Sequence, residues 1–147
     1  MKSVFEVQIR EEIISRIRAL QAGQEPLWGS MTMYQMLKHC SLWEDMIFGK
    51  NKYKQVFLGK IFGKMALKGA LKDERHLGKN SPTIPDLKIV GDGDIQLQKE
   101  EWISKIKAYE NFPDHAIMHP FFGKMTKEQA GYFAYKHTDH HLRQFNR

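Results

Sequence analysis

The chain has 147 residues, 41% hydrophobic and 12% aromatic, with a formal net charge of +6 and a pI of about 9.4. That length predicts one domain over residues 1–147, with a single core burying about 70% of the unfolded chain's surface. The lone cysteine, Cys40, excludes an intrachain disulfide, and the longest stretch without Asp, Glu, Lys or Arg, Pro26 to Leu37, is too short to span a bilayer. The opening residues, M-K-S-V-F-E-V-Q-I-R-E-E, become charged too soon for a secretion signal, so a cytoplasmic protein with no membrane partner is expected.

The first predicted helix covers about Val7 to Gln21, with Ile9, Ile13, Ile14, Ile17 and Leu20 at helical spacing. Gly23 and Pro26 end it, and Leu27, Trp28 and Gly29 lead on as an apolar connector. The stretch M-T-M-Y-Q-M-L-K-H then opens the second helix, which runs to about Phe48. Thr32 is its expected N-cap, Gln35 completes a capping box, and Met31 and Met36 are placed for a hydrophobic staple. His39 lies near its middle and shares a face with Gln35, Leu42, Trp43 and Met46.

The third helix is predicted over Gln55 to Lys72, with Val56, Phe57, Ile61, Met65 and Leu71 as its apolar side. Lys60, Lys64, Lys68 and Lys72 form a basic stripe, which is the ordinary pattern of a solvated face. Nucleic-acid binding through that stripe is the weaker reading, because stacking aromatics do not interleave with the lysines. Gly59 and Gly63, four apart, suit close packing. Helical periodicity fails from Asp73 to Gly93, and the expectation there is a long loop, acting as a lid or holding a short extended pair around Leu87 to Val90.

The fourth helix covers about Ile95 to Asn111, with Trp102, Ile103, Ile106 and Tyr109 inward. A bent connector with Pro113, Pro120 and Gly123 follows and carries His115 and His119. The last helix, within Met125 to Arg147, repeats the M-T-x-x-Q opening with Thr126 and Gln129. It holds His137, His140 and His141, of which His137 and His141 lie about 40° apart around the helix.

Two imidazoles at i and i+4 can share one metal ion, and equally describe a solvated helix end. What singles these out is His39, seven residues after its cap, while His137 and His141 fall eleven and fifteen after theirs. If both helices face one core, the three rings converge. His137 with His140 remains a rival pair by spacing alone. His140 reads as a proton shuttle or a packing neighbour, Asp139 as a partner for Arg143 on the outer face, and Cys40 as core. There is no H-E-x-x-H, so no glutamate is set as a general base.

M-T-x-x-Q-x-x-x-H at 31–39, H-P-F-F-G at 119–123 and K-H-x-D-H-H-L-R-Q at 136–144 resemble the DinB-like (DinB/YfiT) metalloenzyme superfamily, in a branch carrying this last motif. The resemblance covers essentially the whole chain. It implies an all-α, up-down-down-up four-helix bundle, here with a long loop between helices three and four. It also implies one histidine ligand from the second helix and two from the last, hence His39, His137 and His141. The superfamily's H-H-R-G-Q is here His140-His141-Leu142-Arg143-Gln144, which keeps the glutamine and displaces the arginine by one.

Three neutral imidazoles leave an open position, the pattern of a catalytic site, and suit zinc or nickel among divalent ions. The expected function is a metal-dependent hydrolase or thiol S-transferase on a small molecule, with His140 and His119 as catalytic candidates. The resemblance implies thiolate activation as one route. The alternative is a bundle that binds metal or ligand without turnover, and a homodimer is compatible with either.

Overall fold

Two capping boxes start the two helices that carry the histidines. Thr32 Oγ1 accepts from the Gln35 backbone N–H at 3.2 Å, and Gln35 Oε1 accepts from the Thr32 N–H at 3.1 Å. Thr126 and Gln129 repeat the exchange at 3.1 and 3.0 Å. Each box satisfies two amides that a helix start otherwise leaves orphaned.

A computed structural model describes residues 1–147. The helices are α1 (Val7–Arg18), α2 (Met33–Ile47), α3 (Phe57–Ala70), α4 (Ile95–Ala108) and α5 (Lys127–Gln144). Two three-residue strands, β1 (Ile117–His119) and β2 (Gly123–Met125), pair antiparallel with Ile117 opposite Met125. No helix is long and apolar enough to cross a membrane.

This corrects the all-α four-helix bundle. The chain forms five α-helices and a small antiparallel sheet. The connector expected after the fourth helix is the hairpin itself, with Gly123 at a φ of +74° where a side chain would be strained. Helices α1, α2, α4 and α5 pack on one another, α2 against α4 and α5, and α1 against the same two. Their core includes Ile13, Met36, Trp43, Trp102, Ile106 and Leu142, each at most 2% exposed.

Helix α3 stands apart and packs on β2. Its inward residues are Gly59, Gly63 and Leu67, not the larger side chains expected to face the core. A Cβ on Gly59 would lie 2.4 Å from the Phe121 carbonyl oxygen, and one on Gly63 would lie 2.1 Å from it. Only glycine lets the helix reach the hairpin backbone, so the two glycines choose which face docks. Lys136 of α5 ties the other end, donating to the carbonyls of Ala70 and Asp73 at 2.6 and 2.9 Å.

The long loop forms no extended pair. A 3-10 turn at Pro85–Leu87 buries Leu87 against α2.

Candidate metal centre

The face of α2 that carries His39 meets the face of α5 that carries His137 and His141. One ring nitrogen from each lies within 4.8 Å of the others. The three residues are 3%, 9% and 7% exposed. His39 Nε2 and His137 Nε2 are 3.2 Å apart, close to the roughly 3.3 Å edge of a tetrahedron with metal–nitrogen bonds of about 2.0–2.1 Å. The wider edges need to close by at most about 1.5 Å.

Second partners orient two of the rings. His39 Nδ1–H donates to the Leu87 carbonyl at 2.9 Å, which leaves Nε2 as its lone-pair nitrogen. His141 Nδ1–H donates to Gln144 Oε1 at 3.0 Å, and Gln144 Nε2 donates to the Trp28 carbonyl at 2.8 Å. Gly29, beside it, has a φ of +77° and leaves room for that amide. Both histidines therefore present Nε2, the nitrogen a metal would take. His137 has no such partner: its Nδ1 is buried without a hydrogen bond, and the ring is held by stacking on Trp43.

Burial keeps these imidazoles neutral. His39 is lowered from its ordinary value by desolvation, and His137 and His141 fall well below theirs through burial and then mutual repulsion among the histidines. Neutral imidazole is the ligating form, so the donor set fits a divalent ion. His39, His137 and His141 are thus three close histidines that could hold a metal ion; spacing left His140 as a rival to His141, and the choice between them came from the motif resemblance.

His119 lies outside the triad, one ring away. The hairpin folds back so that it stacks on Phe122 at 4.4 Å and sits 6.5 Å from Trp43. The Phe121 and Phe122 amides donate to its Nδ1 at 3.1 and 3.2 Å, which places its proton on Nε2, and burial pushes its pKa down to about 4. His140 is half-buried, edge-on to Trp28 at 5.4 Å and to His141 at 5.2 Å. His115 is a strut, with Nε2 2.8 Å from the Ile47 carbonyl. Cys40 is buried, as expected, and burial raises its thiol well above the usual range.

Asp139 is not on the outer face and does not pair with Arg143. It is 9% exposed, meets Arg16 at 2.9 Å and His76 at 3.2 Å, and so joins α5 to α1 and the loop. Arg143 is exposed. Sequence reasoning missed Trp28, Arg16 and the Leu87 carbonyl. Gln144 was visible as the glutamine that the family motif keeps; a backbone acceptor in an irregular loop leaves no mark in residue type.

No curated protein and no solved structure matches the chain. A family model described as protein of unknown function (DUF1569) matches residues 3–147, and the chain belongs to that family.

Proposed function

We propose that the chain holds one divalent metal ion, zinc or nickel, on His39, His137 and His141, and uses the open position on a small molecule. The observation that carries this is the 3.2 Å approach of two Nε2 atoms whose rings are buried and neutral, with His39 tethered through Nδ1. A divalent ion held there would supply Lewis acidity, enough to let a bound water ionise near neutral pH and to keep a bound thiol as its thiolate. Hydrolysis and thiol S-transfer both follow from that chemistry, and the resemblance of the motifs to the DinB-like metalloenzymes implies thiolate activation as one route.

The chain's own groups have separable tasks. Leu87 and Gln144 fix two ligand tautomers. Trp43, Phe122 and Phe133 wall the site with rings and exclude water. His119 offers an Nε2–H that stays neutral, suited to hold an anionic substrate oxygen. His140, half-buried beside His141, suits proton exchange with solvent. A single buried thiol, Cys40, suits a cytoplasmic protein.

One observation favours a second reading, a metal holder without turnover: every ring of the triad is at most 9% exposed. Metal analysis of untagged protein tests the site, and a panel of esters and thiol acceptors tests turnover. One ion per chain in the wild type, lost in His141→Ala and kept in His140→Ala, supports the assignment; the reverse overturns it. Bound metal with no turnover on any substrate selects the second reading.

A further inference from the structure

Helix α3 shows solvent an apolar face. Phe57 is 74% exposed, Leu58 59%, Ile61 56%, Phe62 47% and Met65 68%. At about 100° per residue these five cover an arc of roughly 140°. The opposite side is used up by Gly59, Gly63 and Leu67 against the hairpin, so α3 is a ridge and not the wall of a groove. Contiguous exposed apolar surface on this scale marks an interaction site.

Charge says what covers it. From Met46 to Lys72 the sequence has seven lysines and no acidic residue. Lys64 donates to the Lys124 carbonyl, while Lys60, Lys68 and Lys72 are exposed along the ridge without an acidic partner. A second copy would bring the same lysines face to face. Nucleic acid offers no apolar interior for Ile61 or Met65.

We infer that α3 is an interfacial helix that docks the protein on an anionic lipid surface, its apolar residues entering the acyl boundary and its lysines meeting the phosphates. The expectation of no membrane partner came from spanning length, which does not bear on a helix lying in the surface.

Co-sedimentation of the full chain with vesicles tests it, using phosphatidylcholine alone and phosphatidylcholine mixed with phosphatidylglycerol. The wild type pellets with the mixed vesicles only, and added salt releases it. Phe57→Ser with Ile61→Ser, both exposed and so compatible with folding by circular dichroism, weakens partitioning about tenfold or more. Lys60→Gln with Lys68→Gln weakens it about twenty-five-fold, roughly fivefold per lysine. A Phe57→Trp variant gains a blue-shifted emission on the mixed vesicles. Absence of wild-type binding to them overturns the inference, as does undiminished binding by the serine variant. Dimerisation lost in the serine variant, or duplex DNA binding, in either case without vesicle binding, assigns the ridge to another partner and overturns it too.

Discussion

Trp43 lies nearly flat on His137, ring centroids 4.6 Å apart and planes 22° from parallel. Trp43 is four residues after His39 on α2, so one helix face supplies a ligand and the surface that sets another ligand's ring. His137 is also the triad member without a hydrogen bond at Nδ1, so stacking stands in for a second partner. Trp43→Ala should cost about 3–5 kcal/mol in urea unfolding. Metal affinity should fall with it, and Trp43→Phe, which keeps a ring, should lose less of both. Equal metal affinity in wild type and Trp43→Ala would show that the stack does not position His137.

Gln144 joins His141 to the Trp28 carbonyl without touching the ion's position. Gln144→Leu keeps the bulk and removes the acceptor. Chelator competition should show metal affinity reduced about 10–100-fold, with the fold intact. His140→Ala, by contrast, should leave affinity near that of the wild type.

The three triad histidines have folded pKa values below their ordinary 6.5. In the unfolded chain they take up protons as pH falls through 6.5, while in the folded protein they resist. The metal-free protein should therefore keep this stability above pH 6.5 and lose it steadily as pH drops below that value. Urea midpoints across this range check it, and a His137→Ala variant should show a shallower slope.

Glu44 acts with the opposite sign. Burial raises its pKa to about 8 although Tyr109 donates a hydrogen bond to it. The unfolded carboxyl ionises near 4.5 and the folded one does not, so stability should fall as pH rises from 4.5 toward 8, by a few kcal/mol in all. Glu44→Gln keeps an acceptor for Tyr109 and should flatten that slope. A slope unchanged by the substitution would mean that another group titrates.

Gly63→Ala places a methyl 2.1 Å from the Phe121 carbonyl oxygen. The hairpin must shift, at a cost of about 1–3 kcal/mol. His119 rides on that hairpin, so its imidazole resonances should move as well. Gly69→Ala, with open space at the added methyl, should leave stability unchanged or raise it.

Both capping boxes, the buried stripe of α4 and the approach of His39 to the histidines of α5 were legible, because helical period and capping chemistry act over a few residues and repeat, while His141 in place of His140 rested on the motif resemblance. The role of α3 was misread for a definite reason. Its large residues follow a regular period that reads as the core-facing side, whereas the side that docks is the one with Gly59 and Gly63, whose spacing for close packing did mark them, because only glycine fits against Phe121. The hairpin was hidden because three-residue strands are too short to show alternation. Asp139 was assigned to Arg143 by helix spacing, whereas Arg16, far away in sequence, is nearer in space.

His39 is anchored by a peptide oxygen and not by a side chain. Exchanging the residue at position 87 therefore cannot delete the anchor; only displacing the short turn can. The side chain at position 87 can change, provided something apolar still fills the gap on α2, and the ligand keeps its tautomer throughout. Control of this imidazole has been handed to the path of the chain, so shortening the segment before Pro85 would disturb it where a point substitution would not.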